Sequence, residues 1–207
     1  QSAKDSKART YFNGGNAKFE LKDYYAAIAD YTQAIEINPN YAKAYFNRGL
    51  AKFELKDYYA AIADYTEVIK LTPNYGDAFI TRGLAKEYLK DYNGAILDYT
   101  KSIEINPNDA DSYYYRGNAK FELKDYNAAI ADYTEVIKLT PNYGDAFITR
   151  GLAKEYLKDY NGAILDYTKA IEINPNDATA YYNKAIAKYY LKDYNGAILD
   201  YTQAIEI

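Results

Sequence analysis

Proline occurs at five positions in this 207-residue chain, and neighbouring prolines are always 34 residues apart. The positions are Pro39, Pro73, Pro107, Pro141 and Pro175. Self-similarity at a fixed period of roughly 20–50 residues is typical of a repeat array. In such an array, each unit buries its remaining apolar face only by packing against its neighbours. The spacing therefore constrains the fold more than the composition does.

The prolines divide the chain into six repeats that follow a short tail. Counting back from Pro39 places the start of the first repeat at Ala8, so residues 1–7 form a polar tail outside the array. The predicted repeats are 8–41, 42–75, 76–109, 110–143, 144–177 and 178–207, which together form one array over 8–207. The chain begins at Gln1 rather than Met, which leaves open a removed leader; otherwise we expect the cytoplasm.

Each repeat is predicted to be two helices joined by a turn, as residues 42–75 illustrate. Apolar residues fall near one face from Ala42 to about Leu55, which predicts a first helix. Asp57 is a suitable N-cap for a second helix, because its carboxylate can accept hydrogen bonds from free backbone N–H groups. This helix ends before Pro73, since a proline disfavours helical conformation in the preceding residue. Its apolar stripe consists of Tyr58, Ala61, Ile62, Tyr65, Val68, Ile69 and Leu71.

Four kinds of residue recur in a fixed register. The first helix carries an aromatic residue at Tyr11, Tyr45, Phe79, Tyr113, Phe147 and Tyr181. A small residue follows at Gly15, Gly49, Gly83, Gly117, Gly151 and Ala185. The second helix carries Ala27, Ala61, Ala95, Ala129, Ala163 and Ala197, and then Tyr31, Tyr65, Tyr99, Tyr133, Tyr167 and Tyr201. This pattern, completed by the prolines, resembles the tetratricopeptide repeat over about 200 of the 207 residues.

The resemblance implies both the fold class and a mode of function. It implies an all-α protein, specifically a right-handed α-solenoid superhelix of helix-turn-helix repeats. In this family the first helices of successive repeats line a concave groove that holds extended or helical peptides. We therefore expect a protein–protein interaction scaffold that binds a peptide or partner segment in this groove, and not an enzyme.

Glycine and alanine in this register let the two helices of a repeat approach closely, and aromatic rings fill the gaps between successive hairpins. Replacing Gly117 with Leu is therefore expected to overpack the helix crossing. The repeat frame accounts for sixteen of the 28 tyrosines. We interpret the tyrosines as mostly core residues, and not as an aromatic ladder for bases or sugars.

Cationic residues precede the small residue where the family usually has an apolar side chain. They are Arg48, Arg82, Arg116, Arg150 and Lys184, with Gly14 in the first repeat. An aspartate precedes the second-helix tyrosine at Asp30, Asp64, Asp98, Asp132, Asp166 and Asp200. We predict that each arginine pairs with the aspartate of its own repeat, because a guanidinium can bond a carboxylate through two hydrogen bonds. The alternative is a row of arginines that bind a ligand.

The candidate groove residues are placed by the resemblance. They are Phe46, Asn47, Leu50, Phe53, Glu54, Asp77, Ile80, Leu84, Glu87, Tyr88, Asp111, Tyr114, Tyr115, Asn118, Phe121, Glu122, Asp145, Ile148, Leu152, Glu155 and Tyr156. Acidic residues outnumber basic ones in the groove, so the expected partner is a protein or peptide with apolar anchors and some basic residues. The alternative is that these side chains are solvated or pack between neighbouring first helices.

Composition excludes several kinds of chemistry. The chain has no Cys and no His, so disulfides, thiolates and the commonest general base and metal ligand are absent. Its net charge of −4 argues against nucleic-acid binding, which needs a basic face. No apolar run approaches the ~20 residues of a membrane span. We predict no catalytic residue, no metal site, no cofactor, no nucleic-acid partner and no membrane span.

The sequence also repeats with a period of 68 residues, which is a pair of repeats. Residues 53–109 and 121–177 are identical except that Asn127 corresponds to Tyr59 and Ala170 to Ser102. Recent duplication and engineering both explain this, so an engineered scaffold without a natural ligand is one alternative. Another is a self-assembling array that stacks end to end. It would associate through an uncapped C-terminal helix exposing Ile198, Tyr201 and Ile205.

Overall fold

The computed structural model describes residues 3–207, and all regular secondary structure in that range is α-helical, which confirms the predicted class. Twelve helices are present in the described range. The first helices of the repeats are α1 (Ala3–Glu20), α3 (Ala42–Glu54), α5 (Gly76–Tyr88), α7 (Ala110–Glu122), α9 (Gly144–Tyr156) and α11 (Ala178–Tyr190). The second helices are α2 (Tyr24–Ile37), α4 (Tyr58–Leu71), α6 (Tyr92–Ile105), α8 (Tyr126–Leu139), α10 (Tyr160–Ile173) and α12 (Tyr194–Glu206).

The helices form two compact units, one ending at Pro107 and one formed by Asn108–Ile207. Unit 1 contains α1 to α6, and unit 2 contains α7 to α12. Within each unit, a first helix packs against its own second helix, which packs in turn against the next first helix. Successive first helices of a unit also touch each other, whereas its successive second helices, as described, do not. The first helices therefore lie on the inner side of the bend within each unit.

The helix boundaries follow local sequence signals. Asp57 caps α4 as predicted, because its carboxylate accepts a hydrogen bond from the backbone N–H of Ala60 at 3.2 Å. Helix α4 ends at Leu71, before Pro73. The turn before each second helix contains a lysine in the left-handed region, such as Lys56 with φ of 62°. The corresponding aspartate caps of the other second helices are Asp23, Asp91, Asp125, Asp159 and Asp193.

The N-terminal tail predicted for residues 1–7 differs from the structure where it is described. Helix α1 begins at Ala3, so residues 3–7 extend the first helix of the first repeat. Gln1 and Ser2 lie outside the described residues. Residues 3–7 are exposed, and Ala8 is the first buried residue. Because this part of the helix has no buried face, its sequence lacks the apolar periodicity from which a helix is predicted.

The closest packing within a repeat is between the small residue of the first helix and the tyrosine of the second. Tyr65 is 0% exposed, and its ring lies directly over Gly49 of the same repeat. This tyrosine therefore packs inside its own hairpin, and its hydroxyl also reaches the Thr81 side chain of the next repeat. The interpretation of the tyrosines as mostly core was too broad, since Tyr58 and its counterparts are partly or fully exposed. The fully buried set is Tyr31, Tyr65, Tyr99, Tyr133 and Tyr167.

The predicted arginine–aspartate pairs are present. In the second repeat, Arg48 donates two hydrogen bonds to the carboxylate of Asp64, from Nε at 2.9 Å and from Nη2 at 2.7 Å. Equivalent pairs join Arg82 to Asp98, Arg116 to Asp132 and Arg150 to Asp166, and Lys184 contacts Asp200. The first repeat uses Lys18 with Asp30 instead, since Gly14 has no side chain to offer.

Within each unit, an arginine also connects its repeat to the preceding one, as Arg48, Arg82 and Arg150 do. Arg48 Nη1 donates to Oγ1 of Thr32 in α2 at 3.0 Å, and its guanidinium lies over the ring of Tyr45, 5.4 Å from the centroid. Lys52, one turn further along α3, contacts the same Asp64 carboxylate at 2.7 Å. The guanidinium is thus engaged on several sides within the fold, which supports the structural interpretation over a row of ligand-binding arginines. Sequence analysis missed Lys52 although Arg48 and Lys52 have the i, i+4 spacing of neighbours on one helix face.

Candidate functional site

The candidate groove residues belong to the first helices of each unit. We call the surface of these helices the first-helix face: it is formed by α1, α3 and α5 in unit 1, and by α7, α9 and α11 in unit 2. Helices place residues three and four positions apart on one side, so each first helix presents several side chains to this face.

The candidate residues differ in how far they are exposed. The exposed ones are Glu54, Asp77, Tyr88, Asp111, Glu122, Asp145 and Tyr156. The partly buried ones are Phe46, Asn47, Leu50, Phe53, Ile80, Leu84, Glu87, Tyr114, Tyr115, Asn118, Phe121, Leu152 and Glu155. Ile148 is buried, at 8% exposure, in a core cluster with Phe147 and Tyr167. Ile148 therefore contributes to packing in this structure, although its counterpart Ile80 is partly exposed.

Several candidate residues already have partners within the chain. Asn47 Nδ2 donates to Oδ1 of Asn16 at 2.8 Å, and the same oxygen accepts a hydrogen bond from the buried hydroxyl of Tyr31 at 2.9 Å. In the third repeat, Glu87 accepts a hydrogen bond from the Tyr99 hydroxyl at 2.8 Å. These side chains thus satisfy buried tyrosine hydroxyls as well as lining the face. Asn118 does the same for Tyr133, and Glu155 for Tyr167.

The environment of the buried tyrosines raises the pKa of their hydroxyl groups. Burial raises the pKa of Tyr31 to about 12, with smaller contributions from the nearby carboxylates Glu20 and Asp30. Burial also raises the pKa of Tyr167, and its acceptor Glu155 adds to the effect. The pKa of the Glu155 carboxyl is raised in turn by its own burial, partly offset by the hydrogen bond from Tyr167. These tyrosines are therefore neutral hydrogen-bond donors at physiological pH.

A cavity of about 330 Å³ opens on the first-helix face of unit 1, between α1 and α3. Its walls combine the two amides of Asn16 and Asn47 with apolar and aromatic side chains. The remaining lining residues are Phe19, Glu20, Tyr31 and Leu50. A concave, mostly apolar site with a few placed polar groups is the usual form of a ligand pocket.

Stacked tyrosines lie at the C-terminal ends of the first helices. Tyr88, the last residue of α5, stacks on Tyr58 of α4 with ring centroids 4.8 Å apart and an interplanar angle of 8°. The edge of Phe53 packs against both rings, at 5.2 Å from Tyr58 and 5.4 Å from Tyr88. Tyr88 nevertheless remains 62% exposed, because only one of its faces is covered by Tyr58. In unit 2 the same arrangement joins Phe121, Tyr126 and Tyr156.

Two glutamates that are close in sequence to these stacks have no cationic partner within residues 3–207. Glu54 directly follows Phe53 and occupies in α3 the place that Tyr88 occupies in α5. Neither Glu54 nor its counterpart Glu122 makes an ion pair or hydrogen bond with another described residue, whereas the aspartates of the repeat frame are all paired. The first-helix face therefore combines open aromatic rings with unneutralised negative charge.

No group of three or more acidic residues is placed to hold a metal ion within residues 3–207. None of the helices described there is long and apolar enough to cross a membrane. The first-helix face carries aromatic, amide and carboxylate groups that can contact another molecule.

Comparison with protein families gives matches along most of the chain. The tetratricopeptide repeat model matches residues 42–75, 110–143 and 144–177, and a related TPR repeat model matches 15–56 and 88–124. A third tetratricopeptide repeat model matches 166–198. No curated protein gives a significant sequence match.

Many solved structures are similar to this chain. One, the crystal structure of MamA, is 28% identical, with a TM-score of 0.74, and the alignment covers 76% of this chain and 92% of MamA. YrrB, described as a TPR protein with an unusual peptide-binding site, is 24% identical, with a TM-score of 0.73 and coverage of 82% and 88%. A tetratricopeptide repeat protein from Parabacteroides merdae is 16% identical, with a TM-score of 0.82 and coverage of 94% and 77%. The last two similarities concern the fold alone.

Proposed function

Because this chain belongs to the tetratricopeptide repeat family, whose members include protein-interaction modules, we propose that it is a scaffold that binds a peptide or partner segment along its first-helix face. The proposal involves binding and no catalysis. The hypothesis includes six repeats over residues 8–207, whose first helices provide the binding surface.

The observation that carries the proposal is the set of exposed aromatic rings on the first-helix face. Tyr88 and Tyr156 are 62% and 61% exposed, although rings of this size are normally favoured in the interior or at interfaces. Burying such a ring against a partner provides apolar contact area at a small loss of side-chain freedom. The nearby cavity lined by Asn16 and Asn47 adds hydrogen-bonding groups that can align a peptide backbone.

The charge of the same face indicates the chemistry of the partner. The candidate positions of the six first helices carry eight acidic residues, Glu20, Glu54, Asp77, Glu87, Asp111, Glu122, Asp145 and Glu155, against two basic ones, Arg9 and Lys43. A segment with apolar anchors and some lysine or arginine complements this surface. A nucleic-acid partner is disfavoured by the same charge.

Selection from a random peptide library displayed on phage tests the proposal with the full chain as bait. We expect enrichment of peptides that combine apolar and basic residues. Binding of the selected peptides should weaken in Tyr88→Ala. The matched control is Tyr59→Ala, because Tyr59 is also an exposed tyrosine, at 76% against 62% for Tyr88, and lies on a second helix. Equal loss in both variants, or no enrichment over an unrelated helical protein, would contradict the proposal.

A second candidate function, self-association, is favoured by one observation on α12. Ile198 is 61% exposed, whereas Ile164, its counterpart in α10, is partly buried against a core cluster. Exposed apolar surface of this kind favours association with a further helix. We propose that a second copy can cover this face of α12 in solution.

Light scattering across a wide concentration range tests this second candidate. We expect the mass of the full chain to rise with concentration, and to rise less in a variant carrying Ile198→Lys. A constant monomer mass at millimolar concentration would remove self-association and leave peptide binding unaffected.

A further inference from the structure

The tyrosine stack on the first-helix face occurs twice in the chain with nearly the same geometry. Tyr58 and Tyr88 are 4.8 Å apart at 8°, and Tyr126 and Tyr156 are 4.8 Å apart at 10°. The supporting ring edges also agree, at 5.4 Å for Phe53 on Tyr88 and for Phe121 on Tyr156. The segments that carry the two stacks, 53–88 and 121–156, differ in sequence only at Tyr59, which is Asn127 in the second. A ligand that binds one stack is therefore expected to bind the other as well.

The groups around each stack favour a cation. One face of Tyr88 is covered by Tyr58, and its 62% exposure leaves the π-electron cloud of the other face open to solvent. Tyr88 is also the last residue of α5, where the helix dipole is negative. Glu54 is exposed and lacks a cationic partner among the described residues. Aromatic faces and carboxylates both attract positive charge, so a cation that reaches both Tyr88 and Glu54, which end adjacent first helices, gains from both.

Arginine satisfies these groups better than lysine does. A guanidinium is planar, so it can stack on an open tyrosine ring while its edge forms two hydrogen bonds with a carboxylate. It is also more weakly hydrated than an ammonium group and loses less on leaving water. The fold itself already pairs guanidinium, aromatic ring and carboxylate in this way, as Arg48 does with Tyr45 and Asp64.

We propose that the stacks Tyr58–Tyr88 with Glu54, and Tyr126–Tyr156 with Glu122, are two equivalent binding sites for an arginine side chain of the partner. This proposal rests on the proposed function, since it specifies the chemistry at two places on the same face. It implies that one chain binds two copies of a short arginine-containing segment.

The duplication lets each site serve as the control for the other. The full chain is labelled with ¹³C in its tyrosine rings, and the signals of Tyr88 and Tyr156 are assigned with Tyr88→Phe and Tyr156→Phe. The probe is the tripeptide acetyl-Leu-Arg-Leu-amide, and the control probe replaces arginine with citrulline, its neutral analogue. The chemical-shift change per unit of probe is measured by NMR at both rings, in the parent chain and in Glu54→Gln and Glu122→Gln.

We expect the two rings to respond alike, with slopes about two- to fivefold larger for the arginine probe than for the citrulline probe. Glu54→Gln should reduce the response of Tyr88 and leave that of Tyr156 unchanged, and Glu122→Gln should do the reverse. The stack of Tyr160 on Tyr190 is an internal comparison, because Tyr156 stands there in place of the glutamate, and Tyr190 should respond less.

Other results would overturn the inference. Equal slopes for the two probes would exclude recognition of the guanidinium. A response at only one ring would exclude equivalent sites, and a response that ignores Glu54→Gln and Glu122→Gln would exclude the carboxylates. Failure here leaves peptide binding elsewhere on the face intact, since the library selection measures that independently.

Discussion

A β-carbon placed on Gly117 would lie 2.7 Å from Cε1 of Tyr133, closer than unbonded carbon atoms approach. The ring cannot move aside easily, because Tyr133 is 1% exposed and its hydroxyl donates to Oδ1 of Asn118 at 2.8 Å. The absence of a side chain at Gly117 therefore allows the buried tyrosine to occupy its place. The same relationship joins Gly49 to Tyr65 and recurs in each repeat that has this glycine.

Gly117→Leu should destabilise the protein by about 1–3 kcal/mol or more, because the added side chain overlaps a ring that is fixed by packing. Urea unfolding followed by circular dichroism measures the change. The control is Gly144→Ala, whose new β-carbon would lie 3.8 Å from Cγ2 of Ile173, an ordinary contact. This control should be neutral or stabilise slightly, since alanine favours a helix. An unchanged unfolding curve for Gly117→Leu would refute the packing argument.

Tyr65→Phe should change stability little, because the buried Tyr65 hydroxyl makes no hydrogen bond of normal geometry and has only the Thr81 side chain beside it. In the second repeat, Leu50 occupies the place where Asn16 and Asn118 accept such a bond in the first and fourth repeats. The comparison is Tyr133→Phe, which removes a hydrogen bond to Asn118 and should cost about 1 kcal/mol. Equal losses of unfolding free energy in the two variants would contradict this reading of Leu50.

Arg48→Ala should destabilise the protein by about 3 kcal/mol, because it leaves the Asp64 carboxylate, 4% exposed, with only Lys52 as a partner. It also removes the bond to Thr32 that connects two repeats. Lys70→Ala is the surface control, since Lys70 and Glu67 are 64% and 42% exposed and such pairs contribute less than about 1 kcal/mol. Unfolding free energies decide the comparison. Peptide affinity should be unchanged in folded Arg48→Ala, whereas a loss of affinity at constant stability would favour a ligand-binding role.

The arginine–aspartate pair could be predicted from sequence because both residues lie in one repeat and recur in a fixed register. The helix boundaries were predictable for the same reason, since Asp57 and Pro73 act locally. The stack of Tyr88 on Tyr58 was not, because it depends on how the first helix of one repeat lies over the second helix of the one before. A pattern read within a single repeat therefore assigned Tyr58 to the core and Tyr88 to the groove.

The exposure of individual groove residues was also beyond the sequence. Ile148 is 8% exposed and packs in a core cluster, although the family register assigns it to the groove. The family register predicts which residues of a first helix face the groove. It does not contain the side chains of the neighbouring repeats that cover them, and those neighbours decide what remains open to a partner.

Raising the pH from about 10 to 12 should reduce the free energy of unfolding, because buried tyrosines keep their protons in the folded state. Burial raises the pKa of Tyr31 to about 12, whereas tyrosine in an unfolded chain ionises near ~10. Between these values the folded state binds more protons than the unfolded state, so stability present below pH ~10 is lost as pH rises, by up to about 1.4 kcal/mol per pH unit for each such tyrosine.

Urea unfolding at a series of pH values measures the slope. Tyr31→Phe should give a shallower slope than the parent chain, which separates the effect of this tyrosine from deprotonation of the lysines. A slope that is the same in both proteins, or a free energy that stays constant up to pH ~12, would show that the tyrosine protons are not coupled to folding in this way.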